Sequence, residues 1–340
     1  MNPIFSRIFK TLCTVAVVAM LSACGSSSTV DPFTPTRVIG LGDAYNDVGS
    51  AGGPFTVRGT NEVATVVEQL AAYFGVGSSG TFKTGTAALP STGIFSYAVA
   101  GSTISGGSNT HSLEEQISMA IAGVGGSFSD GDLIVVSAGT WDIVNRTDAS
   151  QVTRDAYVSL IESLVAHNAK HVLVMQPLEV ATTPFGYASV NTTPYSATAA
   201  NDFIAYAKGS LQSYVSNQGL KSNPIIYGGA GLSSDFNIYT SISPATVGIF
   251  TAVSGTSVSY GSFTATNGTS VPYCPNWTAS PAAVPVSVPT AFLGCSTIGG
   301  DTTNTTNYDT TLFADGLNLT PAGNRWVAGY LYNATAQGWR

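Results

Sequence analysis

Charge is what this chain has least of: only 9% of its 340 residues are Asp, Glu, Lys or Arg, and the formal net charge is −7. An acidic chain with no basic cluster is a poor partner for nucleic acid, whose recognition rests on neutralising phosphates. Histidine is scarcer still, with His111, His167 and His171 the whole supply. That leaves little imidazole for acid–base chemistry or metal binding. Nor does any internal apolar run approach the roughly 20 residues of a membrane-spanning helix. Against these shortages stand 44% hydrophobic and 10% aromatic residues, enough for a packed globule rather than a disordered chain. A chain of this length can bury one large core as a single domain.

The first residues read as a targeting element. Arg7 and Lys10 precede an apolar run from Thr11 to Leu21, too short for a stable span. The run ends Leu21-Ser22-Ala23-Cys24, which resembles a bacterial lipobox. The resemblance implies a signal peptide over residues 1–23, acylation of Cys24, and outer-membrane sorting, since Gly25 and Ser26 follow rather than Asp. An ordinary signal peptide cleaved near Ala23 is the alternative. Residues 24–36 are rich in Ser, Thr and Pro and read as a flexible tether. Loss of Arg7 and Lys10 with the signal takes the net charge from −7 to −9. Of the four cysteines, Cys13 lies in the signal and Cys24 carries lipid, leaving Cys274 and Cys295. In an oxidising compartment these read as a disulfide, contributing roughly 3 kcal/mol by restricting the unfolded loop. The competing zinc site has too few ligands nearby.

From residue 37 onward, strand and helix patterns alternate. Val38 to Leu41 is a short apolar run closing on Gly42-Asp43. Thr60 to Phe74 has helical spacing, Phe95 to Ala100 is a strand, and Ser112 to Glu115 opens a helix as a capping box. Asp132 to Ser137 is a buried-type strand, and a helix follows from Gln151 to His167. His171 to Met175 is a strand, Ala197 to Val215 a helix and Pro224 to Tyr227 a strand. From Gly228 to Thr311 the pattern dissolves into Gly, Ser, Thr, Asn and Pro, a long irregular insertion. Thr320-Pro321 then caps a last helix. Such alternation predicts an α/β fold whose parallel sheet is covered on both faces, with ligand chemistry at the carboxyl ends of the strands.

Four separated blocks carry the chemistry. Gly42-Asp43-Ala44-Tyr45-Asn46-Asp47-Val48-Gly49 resembles the Gly-Asp-Ser-Leu-Ser-Asp-x-Gly block of the SGNH (GDSL) hydrolases. Tyr97-Ala98-Val99-Ala100-Gly101-Ser102 resembles the second block, Gly139-Thr140-Trp141-Asp142 the Gly-x-Asn-Asp block, and Asp315-Gly316-Leu317-Asn318 the Asp-x-x-His block. The resemblance spans residues 37–340 and implies one flavodoxin-like, three-layer domain. It also implies roles: a serine nucleophile, a glycine N–H and an asparagine as oxyanion donors, and a histidine base oriented by an aspartate. Here Ala44 stands for the serine, Trp141 for the asparagine and Asn318 for the histidine, while Gly101 and Asp315 survive. A methyl cannot attack an ester, and a carboxamide cannot take up a proton at neutral pH.

The losses fall on reacting groups and spare Gly42, Asp43, Asp47, Gly49, Gly101, Gly139 and Asp315. This predicts a lipid-anchored envelope protein with a disabled centre and no cofactor. The old cleft is expected to hold an acyl, glycan or polymer ligand, or else the domain to serve as a surface or scaffold module, with the membrane met through the lipid alone. A working esterase with another nucleophile and base is the second reading. Ser50 and Ser102 lie near the blocks but off the strand-end turn. His111 precedes a helix cap, and His167 and His171 lie between a helix and a strand start, all read as structural or solvated. Asp43, Asp142 and Asp315 could in principle gather round a metal, but the first two more often fasten loops. Paired carboxylates for glycoside work lack any substrate-side support.

Overall fold

A computed structural model describes residues 33–57, 63–106, 111–148, 150–178, 180–187, 195–196, 199–220, 224–228, 258–260, 263–265, 273 and 312–339. The signal, Cys24, most of the irregular insertion, Cys274 and Cys295 lie outside the described residues. Thr34–Trp339 forms one compact unit. Its elements begin with β1 (Arg37–Gly42), α1 (Val66–Tyr73), β2 (Thr81–Phe82), β3 (Gly93–Ser96) and α2 (Leu113–Gly123). Next come β4 (Asp132–Ser137), α3 (Thr140–Val144), α4 (Gln151–Ala166), β5 (Val172–Met175), α5 (Pro184–Tyr187), α6 (Ala199–Asn217) and β6 (Ile225–Gly228). A hairpin of β7 (Val258–Tyr260) and β8 (Phe263–Ala265) and the helix α7 (Pro321–Gly338) follow.

Six strands make one parallel sheet in the order β2-β3-β1-β4-β5-β6. Apart from the two-residue edge strand β2, this is the doubly wound order in which β1 is flanked by strands whose connections run to opposite sides. Alternation along β1 sends Ile39 and Leu41 to one face, where they join Ile134, Val136, Val172 and Val174 under α2, α4 and α6. The opposite face packs Val38 and Leu133 beneath the α1–α7 pair, whose buried side includes Val66, Leu70, Val327 and Leu331. Burying both faces explains why β1 and β4 are apolar almost throughout, where a half-exposed strand would alternate.

Helix boundaries follow local chemistry. Thr65 caps α1 in a full capping box: its hydroxyl accepts from the Glu68 N–H, and the Glu68 carboxylate accepts in return from the Thr65 N–H. The box expected at Ser112 is only half formed. Ser112 Oγ accepts from the Glu115 N–H at 3.3 Å, but the Glu115 carboxylate turns to His111 Nδ1 at 3.1 Å. Thr320 Oγ1 accepts from the Gly323 N–H at 3.1 Å with Pro321 at the first helical position, as the Thr-Pro pair predicts. Five short elements, β2, α3, α5, β7 and β8, have no counterpart in the sequence reading, and the β7–β8 hairpin lies within the insertion expected to be irregular throughout. Among the described residues, no helix is long and apolar enough to cross a membrane.

At the amino end of β1 and β4 sits a buried ion pair. Arg37 and Asp132 are register partners, joined by Nε to Oδ1 at 2.8 Å and Nη2 to Oδ2 at 2.7 Å. Arg37 Nη1 also donates to the Pro90 carbonyl, and Asp132 Oδ2 accepts from the Ser129 N–H. This fork-to-fork geometry satisfies both charges without water.

Candidate functional site

The carboxyl edge of the sheet is built by the segments that leave β1, β3, β4 and β5. Gly42 ends β1 with φ +109°, and a Cβ there would lie 1.6 Å from the Ser137 carbonyl oxygen. Only glycine permits that approach, in which the Asp43 N–H donates to Ser137 O at 2.6 Å. The chain then turns tightly, Asn46 N–H to Asp43 O and Asp47 N–H to Ala44 O. Ala44 sits in this turn, half buried, with only a methyl group as side chain. No reactive atom is there.

Each polar side chain around Ala44 is committed to holding the frame. Gln116, on the buried face of α2, accepts from the Gly42 N–H at 2.5 Å and donates to Gly42 O at 2.9 Å and to His111 O at 2.9 Å. Ser102 Oγ donates to the same Gly42 carbonyl at 2.6 Å. Asp47 ties the turn after β1 to the loop after β3: Oδ1 accepts from the Gly49 and Ser50 N–H groups, Oδ2 from Ser50 Oγ and the Ala100 N–H. Asn46 Nδ2 donates to Leu41 O and Val135 O, both at 3.0 Å. The hydroxyls of Ser50, Ser102 and Ser137 thus donate to Asp47, Gly42 O and Asp43, and none is engaged with an imidazole.

The other blocks reach the same edge. Gly101, with φ +86°, follows Ala100 in the loop that Asp47 fastens. Gly139, with φ +103°, opens α3, whose first turn holds Trp141 at 6% exposure. The indole is therefore enclosed by protein. Asp142 accepts from the Ile104 N–H, Oδ2 at 3.2 Å, which joins α3 to the segment after Gly101. Asp315–Asn318 reaches the edge from the far end of the chain. Phe185 donates its N–H to Gly316 O at 3.0 Å, and Thr56 Oγ1 donates to Leu319 O at 2.7 Å. The turn thus lies between the segments that follow β5 and β1.

Within that turn Asp315 is 1% exposed, and Oδ1 accepts from the Leu317 and Asn318 N–H groups at 2.9 and 2.8 Å. Its Oδ2 accepts from Asn318 Nδ2 at 2.9 Å. A nitrogen attached to Cγ of residue 318 donates to this carboxyl, which is the bond an orienting aspartate makes to an imidazole Nδ1. In this chain the donor is an amide.

The histidines stand elsewhere or point elsewhere. His167 closes α4, with Nδ1 2.7 Å from Ser163 O, and His171 precedes β5 at the amino edge, stacked edge-on against Trp339. Both placements match the structural reading. His111 differs in part: its backbone reaches the carboxyl edge through Gln116, which sequence reasoning did not foresee. Its ring is half exposed and pairs with Glu115. Gln116 was also missed, although a lone amide on the apolar face Leu113, Gln116, Ile117, Ala120 is a signal that could have found it.

Burial dominates the titration of the edge. It pushes Asp43 up to about 6 against hydrogen bonds from Ser137, the Tyr45 N–H and Thr140. It pushes Asp142 up to about 7, with the Asp43 charge adding to the rise, and Asp315 up to about 7 despite its three donors. Asp47 is raised too. Burial also pulls His171 down to about 4. A carboxyl held above its unfolded value adds stability below about pH 4 and loses it as the pH rises through the folded value. The lowered imidazole acts oppositely between about 4 and 6.5, stabilising as pH rises. Asp43, Asp142 and Asp315 together outweigh the imidazole, so stability falls by on the order of 5 kcal/mol from pH 5 to pH 8. Thermal melts across that range check this: a Tm that rises toward pH 8 contradicts it. Among the described residues, no three His, Cys, Asp or Glu side chains form a group that could hold a metal ion.

No family model and no curated protein matches the chain. Among solved structures it is similar to two catalytic mutants of Axe2, an acetylxylan esterase from Geobacillus stearothermophilus. Each is 14% identical at a TM-score of 0.31, over 62% of this chain and 83% of that one. Another Axe2 mutant, described as an acetyl-xylooligosaccharide esterase, aligns over the same shares at 14% identity and a TM-score of 0.30.

Proposed function

We propose that this is a degenerate member of the SGNH (GDSL) hydrolase family, a lipid-anchored envelope protein whose catalytic centre has lost its reacting atoms. The observation that carries the reading is the Asp315–Asn318 pair, an intact orienting carboxyl bonded to a side chain that cannot accept a proton. It stands on the same sheet edge as Ala44, where a nucleophile is missing, and Trp141, where an oxyanion donor is missing. The strand order and the parallel sheet support the family reading, and so does the retention of Gly42, Asp47, Gly101 and Gly139 in frame-holding roles. Acylation at Cys24 and sorting to the outer membrane belong to the same proposal. So does a ligand role for the old cleft, with an acyl chain, a glycan or a polymer as occupant.

The test is hydrolysis of short- and medium-chain p-nitrophenyl esters by the purified protein. We expect release of nitrophenolate no faster than with heat-denatured protein. Turnover that a single cleft substitution abolishes would overturn the reading in favour of an esterase with another nucleophile. That competing reading has the frame in its favour, but the bonds of the serines around Ala44 go to carboxylates and carbonyls rather than to an imidazole. The serines bonded to the end of β1 and the turn after it, Ser50, Ser96, Ser102 and Ser137, donate to Asp47, Asn46 O, Gly42 O and Asp43.

A further inference from the structure

Two of the edge carboxyls do more than fasten loops. Asp43 and Asp142 are 2% and 3% exposed, and the charge of one acts on the other. Asp43 Oδ1 accepts from Ser137 Oγ, while Oδ2 is buried without a hydrogen-bond partner. Asp142 accepts from the Ile104 N–H and, at 3.5 Å, from Thr147 Oγ1. Between them they join the turn after β1, the end of β4, the segment after Gly101 and helix α3.

Among the described residues, no ion pair is formed by either group. The charged side chains on the neighbouring elements are engaged away from them: Glu68 of α1 in its capping box, His111 and Glu115 of α2 with each other, Arg146 after α3 on the Tyr195 ring. The segment after β3 offers only Tyr97, a phenol. Two buried carboxylates outside any ion pair are costly, whereas their protonated forms are neutral and can donate. Asp47 is the contrast on the same edge, since four donors converge on its two oxygens.

We propose that the Asp43–Asp142 pair is a pH-operated fastener of the carboxyl edge: protonated, it holds the turn after β1, the segment after Gly101 and α3 together, and ionised it lets them part. The device is independent of whether the cleft binds a ligand. It would make the edge tight in mildly acidic surroundings and loose in mildly alkaline ones, with burial placing the change at about 6 to 7.

Amide hydrogen exchange of the full chain in detergent tests it, run at pH 5.5 and pH 8 and corrected for the base-catalysed intrinsic rate. Protection in residues 42–50, 99–104 and 139–147 is expected to drop about tenfold or more at the higher pH beyond whatever drop β4 and β5 show from the lower global stability. Asp43→Asn with Asp142→Asn keeps acceptors for Ser137 and the Ile104 N–H but removes the ionisation, so the drop should vanish. If the double variant fails to fold, Asp142→Asn alone should shrink the drop. Equal protection at both pH values in the native chain, or a drop that persists in the folded variants, overturns the proposal. So does a loss shared equally by β4 and β5, which would mark global unfolding.

Discussion

Ala44→Ser, Trp141→Asn and Asn318→His, introduced together, are expected to raise p-nitrophenyl ester hydrolysis about 10²–10⁴-fold above the native chain. The scale is that of a positioned general base acting on a nucleophile. The Asp315–Asn318 turn supplies the geometry for the base. Asn318 Nδ2 and an imidazole Nδ1 are both attached to Cγ, so the introduced ring can donate to Asp315 Oδ2 along the bond that the amide now makes at 2.9 Å. That leaves Nε2 as the acceptor. Two backbone N–H groups already fix Asp315 Oδ1 and hence the plane of the carboxyl. Ala44→Ser adds a hydroxyl to a turn whose backbone is pinned by Asp43, Asn46 and Asp47, and Trp141→Asn opens space and restores a side-chain donor.

The effect should be far from additive, because a serine without a base and a base without a serine are each nearly inert. Ala44→Ser alone and Asn318→His alone should therefore stay near the native rate. Initial rates across the four proteins read this directly. A triple variant that folds with native circular dichroism yet remains inert would show that the blocks do not meet as one site.

Asp132→Ala is expected to cost about 3–5 kcal/mol, the largest loss from any single truncation considered, because it strands the Arg37 guanidinium in a dry cavity. Arg37 is 6% exposed and Asp132 fully buried, so neither charge can turn to water. The pair also aligns β1 with β4 at the first rung of their ladder. Arg37→Met should cost a similar amount by leaving Asp132 unpaired. In Arg37→Met with Asp132→Leu no charge is left behind, and most of the loss should return. Urea unfolding of the native chain, Arg37→Met, Asp132→Leu and the double variant closes the cycle. A coupling energy near zero would mean that the pair is solvated in solution and holds nothing.

The two regions differ in how far the chain itself reveals them. β4 and the capped start of α7 were readable because their signals are local: an apolar run in one case, a Thr-Pro pair in the other. The helix expected over Thr60 to Phe74 instead begins at Val66, where Thr65 and Glu68 close on each other. Both residues are ordinary polar types, and the reciprocal bond is visible only in space. The Arg37–Asp132 pair joins positions 95 residues apart. Its sequence signal is slight: a charge opening each of two apolar strands in a chain with few charges.

The blocks were found by resemblance, but what their residues do was not contained in it. That Asp47 braces Ala100, that Gln116 clamps Gly42 from both sides and that Asn318 takes the bond of an imidazole are facts of three-dimensional convergence. So is the fate of the serines. Ser102 looks available in sequence and is spent on the Gly42 carbonyl in the fold. The cysteine pairing and the insertion between Gly228 and Thr311 belong largely to residues outside those described.

The central claim is that no activated nucleophile exists on this edge, and a fluorophosphonate probe asks that question of every serine at once. Incubated with the full chain and followed by intact mass and peptide mapping, it should leave the mass unchanged, while the triple variant gains one adduct at position 44. Stoichiometric labelling of a single serine in the native chain, lost on denaturation, would contradict the claim and mark a working hydrolase.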